Sequence, residues 1–326
     1  MLRKIVTVGL MLSAFCLRAG ESVPLLQSIA ANEPIVPIPV LHNQNMDEVR
    51  LGKRLFHDPQ LSYNNTVSCA SCHQLTNGGQ NGLVVAIGVD GKKGQINTPT
   101  VLNSSLQFRQ FWDGRVASLE EQVDFPVTNP VEMGSDWSQV IKKLSDDKTY
   151  TELFQDLYDG KITQETISSA IASYERALLT PNSAFDRYLK GEDTLSEKQK
   201  KGYRLFKEYG CIACHQGVAV GGNMYEKIGV FVDYFNDRGN LTKVDNGRFN
   251  VTGLEEHRFE FKVPSLRNIA LTAPYFHDGT VPTLEEAVEI MAYYQLGRSI
   301  EHQERDAIVA FLQSLTGVLP EGLSND

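Results

Sequence analysis

Cys69-Ala-Ser-Cys72-His73 and Cys211-Ile-Ala-Cys214-His215 repeat one pattern: two cysteines with a histidine directly after the second. This spacing suits the covalent attachment of haem. Two thiols form thioethers with the vinyl groups of one porphyrin, and the adjacent imidazole supplies an axial nitrogen to the iron. Two copies predict two covalently bound haem c groups and redox chemistry. Two other uses of paired cysteines fit less well. A zinc ribbon sets its pairs roughly 15–20 residues apart, whereas these are far apart in sequence. Neither a ribbon nor a thioredoxin-like pair requires the histidine.

What each iron can do depends on its sixth position. A strong protein ligand favours electron transfer, and an open position permits chemistry on a small molecule. For the second haem, Met224, Met291, His257, His277 and His302 are candidates. Met291 lies one helix beyond Ala273-Pro-Tyr-Phe-His-Asp-Gly279. Spacing alone leaves it open whether Met291 ligates iron or fills the core. After the first motif, Val84-Val-Ala-Ile-Gly-Val-Asp-Gly91 offers neither His nor Met, and the next methionine is Met133. The first iron therefore reads as unclaimed on one side. Asp113, Glu120, Glu121 and Glu132 are nearby in sequence and could serve as acids or bases.

The elements that must position these groups read as helices. Gly52-Lys-Arg-Leu-Phe56 precedes the first motif and Gly202-Tyr-Arg-Leu-Phe206 the second, a short internal repeat. Each belongs to an amphipathic helix, expected over Met46–His57 and Ser196–Tyr209. Further helical periodicity covers Trp137–Ser145, Lys148–Leu157, Thr163–Leu178, Leu284–Tyr294 and Ile300–Leu315. Thr283 and Glu286 make a capping box. Thr180-Pro-Asn-Ser183 breaks the pattern and reads as a junction. No run of alternating strands stands out. The expected fold class is mostly α: two cytochrome c-like haem domains with long loops, residues 21–182 carrying the first haem and 183–326 the second.

Residues 1–20 have a basic start, a short apolar core and small residues at Ala19 and Gly20, as in a secretory signal peptide. That predicts a periplasmic protein without a transmembrane anchor. Cys16 raises the alternative of a lipid anchor, but Phe15 before it does not suit lipoprotein processing. Of the five cysteines, only the four in the motifs would remain after cleavage. Removing Arg3, Lys4 and Arg18 takes the net charge from −9 to −12. Nucleic acid is excluded as a partner by that balance; a positively charged electron-transfer partner is allowed.

Taken together, several stretches in order resemble the bacterial dihaem cytochrome c peroxidases over nearly the whole chain. They are Val67–His73, Ile96-Asn-Thr-Pro-Thr-Val-Leu-Asn103, Gln110-Phe-Trp-Asp-Gly-Arg115, Asn129-Pro-Val-Glu-Met133, Cys211–His215 and Leu266–Gly279. The resemblance implies reduction of hydrogen peroxide to water, with electrons from a small cytochrome c or a cupredoxin. It implies that the His73 haem is peroxidatic and that the His215 haem, with Met291 as sixth ligand, accepts electrons from outside. Trp112 would stand between the haems. Glu132 and Gln122 would form the peroxide pocket, with Glu132 moving the proton from one peroxide oxygen to the other. A calcium ion would sit on the Asn97 side chain and the carbonyls of Thr272 and Pro274, oxygen donors that suit a hard cation. The family commonly forms homodimers.

One residue departs from the pattern. Members that need prior reduction carry a histidine directly after a Ser-Ile-Gly-like triplet. Here the triplet is Ala86-Ile-Gly88 and the next residue is Val89, which cannot ligate iron. The expectation is an enzyme active when fully oxidised. Two other readings use the same motifs: a MauG-type enzyme that oxidises a protein partner, with Tyr293 or Tyr294 as ligand, and a non-catalytic dihaem electron carrier.

Overall fold

The computed structural model describes residues 33–40, 44–319 and 321–323. The expected signal peptide, with Cys16, lies outside the described residues. The helices are α1 (Met46–His57), α2 (Cys69–Cys72), α3 (Leu119–Thr128), α4 (Trp137–Asp146), α5 (Lys148–Tyr158), α6 (Gln164–Ala177), α7 (Ala184–Leu189), α8 (Glu197–Glu208), α9 (Tyr234–Arg238), α10 (Phe249–Thr252), α11 (Leu284–Ile290) and α12 (His302–Gln313). A π-helical turn, Met291–Gln295, follows α11. The strands β1 (Tyr225–Lys227) and β2 (Glu260–Lys262) form a small antiparallel pair that periodicity could not reveal at three residues each. Among the described residues no helix is long and apolar enough to cross a membrane.

Local chemistry starts these helices where the sequence says they should start. The Asn45 side chain accepts the Asp47 and Glu48 N–H groups at the head of α1, and Ser196 forms a reciprocal capping box with Gln199 on α8. Thr283 accepts the Glu286 N–H of α11, which is half of the expected box. The helix α3 escaped the periodicity because Pro126 lies inside it; its signature was the cap Ser118, which accepts the Glu121 N–H.

Two buried clusters form the core. One gathers α1, α3, α4, α5 and α6 around Leu55, Phe56, Val127 and Phe154; the other gathers α7, α8, α11 and α12 around Phe185, Phe206 and Phe311. Their centres are built alike. In α1, a Cβ at Gly52 would lie 1.8 Å from the Ala170 carbonyl oxygen of α6; in α8, one at Gly202 would lie 1.8 Å from the Ala307 carbonyl oxygen of α12. Only glycine permits either helix crossing. The Leu and Phe of each repeat are buried beside it, and the Phe56 and Phe206 rings each lie 6.4 Å from the histidine of their own motif.

A longer repeat, not foreseen, extends this likeness. Phe111-Trp-Asp-Gly114 and Phe276-His-Asp-Gly279 share their backbone: both phenylalanines are left-handed (φ 68° and 66°), as are both glycines (φ 64°). Each turn leads into a helix that begins Leu-Glu-Glu, α3 or α11. Asn103 and Asn268 are also left-handed and buried. Their amides meet on one atom, the hydroxyl oxygen of Thr180, at 2.8 and 2.9 Å. The chain ends cross this arrangement. Ile35 belongs to the second cluster and Leu323 to the first. The Val36 carbonyl accepts from Arg267, whose fully buried guanidinium also pairs with Asp186 at 2.8 Å. Residues 33–38 thus pack with the second half, unlike the expected boundary.

Candidate active site: two unequal cavities

Each Cys-x-x-Cys-His motif opens onto its own cavity. Cys69, Cys72 and His73 line the first; Cys211, Cys214, His215 and Met291 line the second. The cysteines are unpaired. Burial pushes the thiols up, to about 11 for Cys72 and for Cys211, so they are thiols rather than free thiolates. Burial pushes both imidazoles down, to about 4, and the neutral imidazole is the form that binds a metal. The carbonyl oxygen of Gly79 lies 3.2 Å from His73 Nδ1, leaving Nε2 for a metal. His215 Nδ1 is turned towards the carbonyls of Val220 and Pro264, without a well-formed hydrogen bond to either. Two thiols and one neutral imidazole facing one apolar space fit a covalent haem in both places.

The second cavity selects among the sixth-ligand candidates. Met291 lines it, at the junction of α11 and the π-turn. His277 is fully buried and bound to Asp245 at 2.8 Å. His257 meets Thr252 at 2.9 Å, and His302 is 86% exposed. Tyr293 is largely exposed, while Tyr294 packs in a satellite cluster with Tyr234.

The first cavity is lined instead by Gln122, Pro126 and Glu132, with Ala86, Gly88 and Glu175. Glu132 is held by Asn129, whose amide donates to Oε1 at 2.7 Å. Burial raises its pKa, against the pull of Asn129 and Arg115. The other nearby acids face elsewhere: Asp113 pairs with Arg115, Glu120 with Arg176, and exposed Glu121 accepts the Ala117 N–H. Val89 is wholly buried, and its N–H donates to the Glu132 carbonyl at 2.8 Å. Behind it, a Cβ on Gly88 would fall 2.2 Å from the Val131 oxygen. This segment is packed tightly against the strand of chain that carries Glu132.

The longer repeat shows how the two cavities differ. It aligns Pro126 with Met291 and Gln122 with Ala287; the crossing of α6 and α12 aligns Ile171 with Ile308 and Glu175 with Leu312. Gln122 and Glu175 of the first cavity thus stand opposite apolar residues in the second. Pro126 and Glu175 went unnoticed in the sequence, although the Phe-x-Asp-Gly repeat was there to align the first of them.

Trp112 lines the second cavity from the first half. Its Nε1 donates to the Asn97 carbonyl at 3.0 Å, and its ring lies edge-on to that of its counterpart His277 at 6.4 Å. Asn97, Thr272 and Pro274 line the same cleft. The Asn97 amide nitrogen holds the carbonyls of Leu83 and Val84 at 3.0 and 3.2 Å, so its Oδ1 remains as an oxygen donor. Asp245, His277 and Asp278 also cluster within 4.8 Å. That group already holds a cation: Arg238 reaches Asp245 at 2.7 Å and Asp278 at 2.5 Å.

A chain built of two matched halves, each presenting a haem-attachment motif to its own cavity, is a dihaem c-type redox protein. Comparison with known proteins makes this specific. Residues 46–194 match the family model for di-haem cytochrome c peroxidase. The chain is 44% identical over 324 residues to cytochrome c551 peroxidase of Nitrosomonas europaea, covering 98% of this chain and 94% of that protein. It is 47% identical over 289 residues to cytochrome c peroxidase Ccp of Escherichia coli (strain K12); the match covers 88% of this chain but spans 62% of that protein. Among solved structures, a MauG-like protein associated with microbial copper homeostasis is similar, with a TM-score of 0.77 and 28% identity over 90% of this chain and 97% of that one. The chain belongs to the dihaem cytochrome c peroxidase family.

Proposed function

We propose that the first cavity reduces hydrogen peroxide to water and that the second relays electrons to it. One observation carries this reading: Pro126, which has no ligating atom, stands where the second half has Met291. When bound, the haem of the first site supplies the iron that accepts peroxide and the electrons that cleave its O–O bond. The residues around it supply proton handling and positioning. Glu132, held by Asn129, takes the proton from one peroxide oxygen and returns it to the other, so that water leaves rather than hydroxide. The Gln122 amide orients the departing oxygen. Trp112 provides the aromatic contact between the two sites, and Met291 holds the second iron. Asn97, Thr272 and Pro274 bind a calcium ion in the cleft between the halves. The donor is a small cytochrome c or a cupredoxin, and the leader directs the protein to the periplasm, where it works as a homodimer.

Val89 gives the first site its resting state. Being apolar, buried and tied through its N–H to the Glu132 carbonyl, it would offer no ligating side chain to the haem of the first site in the oxidised enzyme. The fully oxidised holoenzyme should therefore turn over peroxide without a lag; a strict need for prior reduction would refute this. Glu132→Gln should lower turnover by about 10²–10⁴-fold while both haem spectra persist. Near-normal turnover would remove Glu132 from the mechanism.

A further inference from the structure

Glu132 recycles a proton that peroxide already carries. The balance H₂O₂ + 2 H⁺ + 2 e⁻ → 2 H₂O still requires two protons from solvent for each turnover, and they must cross into a buried cavity. On the reading given above for the first site, the structure contains a group suited to bring them.

Glu175 is on α6, one turn beyond Ile171, and both line the first cavity. The residue is 5% exposed. Its Oε2 is buried and has no hydrogen-bond partner. The Gly52 and Gly202 crossings fix its counterpart in the second half as Leu312, an ordinary wall residue of that cavity. A carboxyl in place of leucine at such a site is costly unless it stays protonated. Burial pushes the Glu175 carboxyl up to about 8, opposed by the next residue, Arg176, and assisted by Glu120.

Its charged neighbours outline a path. On the outer side, α3 presents Glu120, which forms an ion pair with Arg176; both are exposed by more than a third. On the inner side, Cys69 at the head of α2 lines the same cavity as Glu175 and Glu132. On α1, His57 lies beyond the Tyr174 ring. Cys69 and Cys72 carry no charge once they are thioethers. The carboxyl thus lies between a solvent-exposed ion pair and the cavity that holds Glu132.

We infer that Glu175 is a proton-relay residue of the first site, carrying solvent protons from the Glu120–Arg176 surface pair into the cavity where peroxide is reduced. In each transfer the O–H bond at Glu175 breaks and an O–H bond forms on an oxygen derived from peroxide, directly or through Glu132. The carboxylate regains its proton from solvent at the Glu120 end. Two transfers accompany the two electrons that the external donor gives up.

The test uses the dihaem holoenzyme with Glu175→Gln, which keeps shape and polarity without an exchangeable acid, and Glu175→Asp as the conservative variant. Glu175→Gln should lower kcat on the order of tenfold or more, with KM for peroxide and both haem absorption spectra unchanged. Glu175→Asp should recover part of the loss. Independently of turnover, infrared difference spectra taken on reducing the first haem should contain the carbonyl band of a protonated carboxylic acid, absent in Glu175→Gln. Wild-type kcat in Glu175→Gln, or an unchanged carbonyl band, would overturn the relay. If Glu132→Gln is inactive while Glu175→Gln is normal, the relay alone fails. If both variants are normal, the assignment of the peroxide pocket fails with it.

Discussion

Residue types carried the chemistry into view before any geometry did. Both Cys-x-x-Cys-His motifs, Met291, Glu132, Trp112 and Gln122 could be picked out from the sequence, the last two through resemblance alone, and each lines one of the two cavities. Buried carboxyls were not legible, because burial has no local signature. Glu175 looks in sequence like any helical glutamate, and Asp245 like any loop aspartate. Asp245 makes the point quantitatively. Burial alone would raise its pKa, but the Thr242 N–H, His277, Arg238 and the Thr242 hydroxyl outweigh it and hold the carboxyl down at about 2. The folded form thus releases its proton more readily than the unfolded chain, whose pKa is near 3.8. The resulting stability is complete above about pH 3.8 and is lost as pH falls towards 2. Acid-unfolding curves of the holoprotein should show this loss, and Asp245→Asn should remove it while lowering stability at neutral pH.

At the level of elements, periodicity found the amphipathic helices to within a residue or two, taking α11 together with its π-turn, and missed α3, which carries Gln122, Val123 and Pro126. The proline that hid α3 from the pattern also distinguishes the two cavities. Held in a helix aligned with α11, it presents a ring where its counterpart presents a thioether. Replacing it should make the two sites alike. Pro126→Met is expected to give a first haem with low-spin, six-coordinate spectra and to reduce peroxide turnover by about tenfold or more, with the second haem unaffected. Absorption and electron paramagnetic resonance spectra of the oxidised variant check this. The π-turn after α11 belongs to the same comparison, since such turns recur at functional positions. It begins at Met291, and the corresponding stretch of the first half ends in an ordinary α-helical turn.

Across the molecule, contacts between the halves include the Asn97 N–H on the His277 carbonyl and the Lys262 N–H on the Trp112 carbonyl, and these could not be read from sequence because they join residues far apart in the chain. Within the second half, the buried Asp186–Arg267 pair links α7 to the Leu266–Gly279 stretch and, through Val36, to the N-terminal segment. Thr180 joins the halves more directly. Thr180→Val would leave the buried amides of Asn103 and Asn268 without their acceptor, at a cost of about 1–3 kcal/mol for each. Thr180→Ser keeps the oxygen and should be nearly neutral. Denaturant midpoints of the three proteins measure the difference. The sharing of that one oxygen atom bears on how such a chain can be divided or inherited. Cutting at the junction near residue 182 would not release two self-sufficient modules: the C-terminal piece would retain Asn268 but lose the hydroxyl on which it closes. The halves are alike in their paired turns and crossings, yet neither is a complete unit.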